Sequence, residues 1–479
     1  MKKIMLAYAP GDLSEKIKAR YKYLTRDVIP VTMRACNDLG YIAATLKQEG
    51  HEVFLRDYKI EKATALDFLD NILTFNPNVI VISTTNVNIV QDLKIIRMIK
   101  SSNPEITIIL KSDIFFNPSD EIINNLPMMG VDYAVGSDAA FVLPKLIKAH
   151  YENPQELYNI PFLTIFRNGQ GTKTNFDFEG FDINSLPLPD RSLIKNEYYY
   201  RPDTKEVIAT IMTAKGNNKD CLYNEKSPLS GANPRIRTPE NVMAEILDCY
   251  NNYGIRNFFF PSATFSNSEK WVEQLCDLIK ENNLAKNINW IASVNPSSFT
   301  EYMAVQMKAA GCSLLLIRFE SGSEETLIRS KCGFSADECY NTAEIAEKAK
   351  LKIFGLFSIG YPWEEESHII ETRKMITKIS PDYLSVSFPV PFPNSELEQI
   401  FRIENILKDP LIANNVIKIP ALGTKFISHK ALKYLRRNIL MRYYLNPKML
   451  IKKAKGITKN PNEFTDYVKS TANIVKNNK

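Results

Sequence analysis

The residues most able to do chemistry in this 479-residue chain sit at one junction. An apolar run, VIATIMTA, leads into AKGNNKDCLYN, residues 214–224, ahead of a helix-like segment, RTPENVMAEI. Cys221 stands there among asparagines. A thiol in such a loop packs as a small half-buried group, ligates a metal, or reacts as a thiolate. The asparagines can satisfy loop backbone groups. The other cysteines offer no tight ligand spacing. Cys332 and Cys339 are seven apart, Cys312 precedes an apolar run, and Cys249 and Cys276 have apolar helical neighbours. They read as buried structural thiols. His51, His150, His368 and His429 are isolated and form no ligand cluster in sequence.

The elements that must position this junction come in two alternating series. Residues 1–150 run KKIMLAY, HEVFLRD, NVIVIST, ITIILKS and VDYAVGS as strands, with helices between them and after the last. This pattern predicts a doubly wound parallel sheet, whose ligands bind at the carboxyl ends of its strands. The loops after residues 8, 84, 111 and 136 are therefore the ones of interest. Residues 151–204, rich in Pro and Asp, read as an irregular wrapping linker. From 205 to 394 six strand-then-helix units predict a partial (β/α)6 barrel with its site at the carboxyl ends of the strands. Residues 395–479 read as a C-terminal helical cap.

Composition narrows the class. Hydrophobic residues make up 44% and charged residues 24%, as in globular proteins, and the length implies two or three domains. The net charge of +6 comes from scattered lysines, with a local excess only in the tail. Neither nucleic acid nor membrane is expected as a partner. No run approaches the ~18 apolar residues that span a bilayer. The opening MKKIMLAYAP reads as a first strand rather than a leader. Seven dispersed cysteines argue against a disulfide framework, and a cytoplasmic location is expected.

Over nearly its whole length the sequence resembles the radical S-adenosylmethionine (SAM) enzymes that carry an N-terminal cobalamin-binding domain. The resemblance rests on DLGYIAATLKQEGHEVFLRD, LPLPDRSLI, RIRTPENVMAEI, MKAAGCSLLLIRFESGSEETL, FGLFSIGYPWEEESHIIETR and LMRYYLNPKMLIKK, in the family's order. It implies a Rossmann-like cobalamin domain followed by the partial barrel. It also implies a Cys-x-x-x-Cys-x-x-Cys motif at the end of the first barrel strand. Here those three positions are Asn217, Cys221 and Asn224. Thiolates hold iron–sulfur clusters, and a neutral amide is a poor substitute. The four-iron four-sulfur cluster is therefore expected to be absent.

Other family positions are mixed. The resemblance places SAM against Glu320, Ser321, Gly322 and Ser323 and against Gly360 and Pro362. The paired glycines after the fourth N-terminal strand are replaced by Lys111-Ser112, and the next loop reads Gly136-Ser137. The acid after the second barrel strand is missing from Pro261-Ser262-Ala263-Thr264-Phe265. The expectation is a degenerate family member that binds SAM, cobalamin or both in a specialised biosynthetic pathway, with non-radical methyl transfer as its chemistry. Two alternatives stand beside it. One is a non-catalytic partner of an active paralogue; the other is a radical SAM methyltransferase with a rebuilt cluster site. A small-molecule substrate or a protein partner is implied, and no catalytic residue is assigned.

Overall fold

The computed structural model describes residues 1–11, 36–85, 88–112, 130–136, 138–175, 181–201, 204–216, 235–262, 265–391, 395–409 and 422–447, with isolated positions between these ranges. Two sheets dominate. The first contains β1 (Lys3–Tyr8), β2 (Glu52–Asp57), β3 (Val79–Ser83), β4 (Thr107–Lys111), β5 (Tyr133–Val135), β6 (Leu163–Arg167) and β7 (Gln170–Lys173), in the order β2-β1-β3-β4-β5-β6-β7. Strands β1 to β5 pair in parallel. Their side chains are largely buried on both faces because helices cover both. Those helices are α1 (Asn37–Gln48), α2 (Ala65–Phe75), α3 (Ile89–Ser102) and α4 (Ala139–Glu152). The order reverses between β1 and β3, and a crevice opens there at the carboxyl ends.

One expectation fails inside residues 151–204. Strands β6 and β7 form a hairpin that extends the first sheet antiparallel to β5. Asn168 and Gly169, both with positive φ (53° and 75°), make its two-residue turn. The Asn-Gly pair is a strong local signal for such a turn. Pro154 opens a 3-10 turn before it, and Asp182 and Asp190 cap two more after it.

The second sheet is entirely parallel and follows the expected series. Its strands are β8 (Ile208–Thr210), β11 (Asn257–Phe260), β12 (Asn289–Val294), β13 (Cys312–Glu320), β14 (Lys352–Ser358) and β15 (Tyr383–Ser387). Between β8 and β11 lies a short antiparallel ribbon, β9 (Ala214–Lys215) with β10 (Arg235–Ile236). The outer helices are α5 (Pro239–Tyr253), α6 (Glu269–Glu281), α7 (Glu301–Ala309), α8 (Glu324–Arg329), α9 (Ala336–Lys348) and α10 (Glu366–Ile379). Their starts are fixed locally. Thr238, Ser268, Thr300 and Ser335 each accept a hydrogen bond from an orphan backbone N–H of the first turn.

After the barrel come α11 (Glu396–Ile403) and α12 (His429–Tyr444). Leu432, Ile439, Leu440, Tyr443 and Tyr444 of α12 join the barrel core, and the Tyr443 hydroxyl donates to Pro381 O at 2.7 Å. This end of the chain is thus part of the barrel's packing. The further helices expected beyond 450, and most of the one expected near 119–126, lie outside the described residues.

A buried polar junction joins the two sheets. Tyr41 of α1 donates to Glu245 Oε2 of α5 at 2.6 Å. Arg237 reaches the same oxygen at 2.5 Å, and Arg191 reaches Glu245 Oε1 at 3.2 Å. Both guanidinium groups and the carboxylate are essentially sealed from water. Arg237 also donates to Met212 O, Arg191 to Thr210 O, and the Asn37 amide to Thr210 O. Arg191 belongs to the LPLPDR segment, so this linker residue is a structural hub. The carbonyls it helps to fix are those of the strand that leads into residues 214–224.

Candidate functional site

At the mouth of the barrel two of the predicted loops meet. Glu320 ends β13 with φ at +63°, a left-handed conformation that non-glycine residues rarely adopt. Its carboxylate is buried and accepts a 2.7 Å hydrogen bond from the Tyr361 hydroxyl, with Arg318 Nε 3.6 Å from its other oxygen. Tyr361 follows Gly360, whose φ of +103° suits glycine. Glu364 then folds back under this turn. Its Oε2 accepts from the N–H groups of Gly360 (2.6 Å) and Tyr361 (3.1 Å), and its Oε1 from Thr326 (3.2 Å). Burial pushes the Glu364 carboxyl up to about 7, against the pull of those hydrogen bonds.

The other predicted residues on these loops fasten them. Ser321 Oγ lies 2.9 Å from Thr372 Oγ1 of α10, and Gly322 N donates to the same Thr372 oxygen at 3.0 Å. A Cβ at Gly322 would lie 2.5 Å from Glu371 O, so the loop can sit on α10 only without a side chain there. Ser323 N donates to Ser321 Oγ and Ser323 precedes the first turn of α8. Pro362 O accepts from Lys425 N at 2.9 Å, which ties the turn to the segment before α12. The structure thus joins Glu320 to the 360–362 turn through Tyr361. It places Ser321, Gly322 and Ser323 against α8 and α10.

Asn217, Cys221 and Asn224 lie outside the described residues. Leu222, between the last two, is fully buried with Tyr361, Trp363, Leu397, Phe401 and Leu407. Its carbonyl accepts from Leu397 N of α11 at 3.4 Å. Leu222 is therefore seated beside the turn that carries Gly360 and Tyr361. Among the described residues, no three Cys, His, Asp or Glu side chains are grouped to hold a metal. The six other cysteines are all buried. After β11, Phe265 packs against Phe260 and Trp290, while Ala263 and Thr264 lie outside the described residues.

Facing the crevice of the first sheet is a second polar group. Asp38, in the first turn of α1, accepts from Tyr8 (3.0 Å), Ser83 (3.4 Å) and Lys111 (2.5 Å). These donors are the last residues of β1, β3 and β4, so one carboxylate spans the switch point. Lys111 and Asp38 stay partly exposed (18% and 34% of their side chains). Ser112 is buried, its N–H bonded to Val135 O; Gly136 closes β5, and Ser137 lies outside the described residues.

Sequence reasoning missed Tyr361, Glu364 and Asp38. An acid four residues after a strand-ending glycine, and an acid opening a helix after the first strand, are the local signals for the last two.

The two polar centres fit the cofactors unequally. The crevice rim offers a cation, a carboxylate and two hydroxyls to an amide- and phosphate-bearing ligand such as cobalamin, through Lys111, Asp38, Tyr8 and Ser83. The barrel mouth holds a buried carboxylate, Glu320, beside the Gly360 turn, which packs against Leu432. The three positions that the resemblance assigns to a cluster carry one thiol and two amides, where thiolates are the usual ligands.

Comparison with known proteins bears on the fold. Residues 37–111 match the B12 binding domain family. The whole-chain architecture matches the solved structure of TsrM from Kitasatospora setae, a radical S-adenosylmethionine methyltransferase with tryptophan substrate and a SAM analogue bound. The TM-score is 0.67 at 15% identity, over 86% of this chain and 80% of that one. OxsB, a cobalamin-dependent radical enzyme solved with aqua-cobalamin and SAM, matches at a TM-score of 0.70 and 14% identity, over 98% and 72%. The fold is that of the cobalamin-dependent radical SAM enzymes. An uncharacterized methyltransferase of Pyrococcus horikoshii is 24% identical over 415 residues, 86% of this chain and 88% of its own length. The resemblance read from the sequence is therefore to the same group of enzymes. Cobalamin and SAM are the cofactors that this similarity points to.

Proposed function

We propose that the chain binds SAM at the barrel mouth and cobalamin at the crevice, and transfers a methyl group by polar rather than radical chemistry. One observation carries the reading. The barrel-mouth loops are joined through Glu320, Tyr361 and Glu364, while two of the three positions that the resemblance assigns to the cluster are asparagine.

The chemistry needs no electron donor. A substrate nucleophile uses its electron pair to bond the methyl carbon of SAM. The carbon–sulfur bond breaks with its pair left on sulfur, S-adenosylhomocysteine departs, and the nucleophile's proton passes to a base. Cobalamin, when bound, supplies a cobalt centre able to accept and give up a methyl group. The chain's own residues position the reactants. The turn at Gly360 and Tyr361 is held beside Glu320, whose carboxylate would face the cationic ligand. The units involved are residues 1–150 for cobalamin and 205–394 for SAM, joined by 151–204, with α12 packed on the barrel. The substrate is a small molecule.

Equilibrium dialysis of the purified chain against SAM and against hydroxocobalamin tests this reading, beside iron and acid-labile sulfide content after anaerobic reconstitution. Saturable binding of both ligands with background iron supports it. About four irons and four sulfides per chain, with a spectrum that responds to SAM, would return the radical reading. Binding of neither ligand would leave a non-catalytic partner role.

A further inference from the structure

We propose that the cavity between α10 and α12 is a binding site for a phosphate-bearing small molecule, separate from the barrel mouth. The cavity measures about 570 Å³, a usual size for a small-ligand site. The last two turns of both helices line it, with Leu445, Asn446 and Pro447. Ser380 follows α10 and stands three residues before β15 begins. The cavity therefore lies at the amino-terminal face of the barrel strands, whereas Glu320 and Gly360 lie at the carboxyl ends.

Two guanidinium groups, Arg373 and Arg442, line this cavity, and no Asp or Glu among the described residues does. Arg442 Nε donates to Asn438 Oδ1 at 2.9 Å. Among the described residues the Arg373 side chain makes no hydrogen bond or ion pair. Arginine can only donate, so the amide oxygen of Asn438 must face Arg442, and its two N–H donors point elsewhere. The hydroxyls of Thr377 and Ser380 already donate, to Arg373 O and Met449 Sδ. The donors left for a ligand are thus two guanidinium forks and one amide, a set that matches phosphate oxygens. Buried Ile376, Ile439 and Tyr443 supply apolar surface for the rest of the molecule.

Helix dipoles do not account for both charges. Arg442 stands in the last turn of α12, where a cation is favoured. In α10 the last-turn cation is Lys378, and Arg373 stands further back. The sequence carries a second, independent sign. Of the chain's 60 Lys and Arg, twelve fall in residues 410–462, where none of its 54 Asp and Glu does. The rest of the chain is net negative. Positive charge is therefore segregated to the segment that includes α12, and at the cavity it meets Arg373 of the barrel.

The test is calorimetric titration of the full chain with sodium pyrophosphate, at an ionic strength held constant with sodium chloride. Saturable binding at one site per chain is expected. Arg373→Gln/Arg442→Gln is expected to weaken it about tenfold or more. Lys374→Gln removes an exposed charge of the same helix outside the cavity, and is expected to change affinity by less than about twofold. No saturable heat, or equal losses in Lys374→Gln and the double variant, would overturn the proposal. Binding of phosphatidylglycerol vesicles or single-stranded RNA without binding of pyrophosphate would also overturn it, since the basic face would then serve a macromolecular surface. A melting curve is the fold control. If the double variant does not fold, the single variants decide: weaker binding in each supports the site, and unchanged binding in both refutes it. SAM and cobalamin take no part in this experiment, so its outcome is independent of the reading at the barrel mouth.

Discussion

The Tyr361 hydroxyl donates to Glu320 across the ends of two neighbouring barrel strands, at 2.7 Å. It joins residues 41 apart in the chain and fixes a buried carboxylate at the barrel mouth. A hydrogen bond to a charged group contributes roughly 1.5–3 kcal/mol, so the pair governs both loop geometry and local charge. Glu320→Gln is expected to weaken SAM binding about tenfold, and Tyr361→Phe somewhat less. The two effects should fall short of additive because they remove one interaction. Calorimetric titration with SAM, with a melting curve as the fold control, reads this. Equal affinity in parent and both variants would remove Glu320 from the site.

Glu364 gives the turn a pH dependence. Its folded carboxyl sits at about 7, above its usual 4.5, chiefly because it is buried. Between these values the folded state keeps a proton that the unfolded state has released. Stability therefore falls as pH rises from about 4.5 to 7, by about 3 kcal/mol in full. Glu364→Gln keeps the acceptor for Gly360 and Tyr361 without the ionisation. Urea unfolding from pH 4.5 to 8 should show a flatter decline in that variant than in the parent. Parallel declines would mean that other groups carry the dependence.

Glu245 holds two buried guanidinium groups at once, Arg191 at 3.2 Å and Arg237 at 2.5 Å. Replacing it by Ala leaves both charges uncompensated, which costs about 3–5 kcal/mol. Glu245→Ala should lower the unfolding midpoint sharply. Glu245→Leu combined with Arg191→Met and Arg237→Met should recover much of the loss, since apolar replacement of a whole buried ion group is often tolerated. A triple variant no better than the single one would show that these polar bonds also specify the domain arrangement.

The cluster expectation can be tested by restoring the motif. Asn217→Cys with Asn224→Cys rebuilds Cys-x-x-x-Cys-x-x-Cys around Cys221. The double variant should take up iron and sulfide on anaerobic reconstitution, to about four of each, while the parent stays at background. Equal iron in both would mean that ligands other than these positions hold it.

Much of the fold was legible because its signals are local. Continuous apolar runs gave the buried parallel strands, and Thr or Ser before an amphipathic segment marked most helix starts. The β6–β7 hairpin was equally local, through Asn168-Gly169, but its short strands sat among Pro- and Asp-rich turns that concealed them. Glu320 and Gly360 entered only through the family resemblance. Tyr361 was not legible, because its partner is set by how β13 and β14 align, Glu320 facing Phe357 in register.

The sequence by itself determined the two alternating series, the order of the units and the Asn217, Cys221, Asn224 spacing after the first barrel strand. Those are properties of composition and spacing along the chain. Only the tertiary structure decided which charges meet. Asp138 and Lys215 are 77 residues apart, Lys111 and Asp38 are 73 apart, and Arg237 and Tyr41 are 196 apart. Electrostatic contacts act within a few ångströms, and that proximity is created by tertiary packing, within the first unit for Lys111 and Asp38 and between the two units for the other pairs. No spacing rule along the chain encodes it.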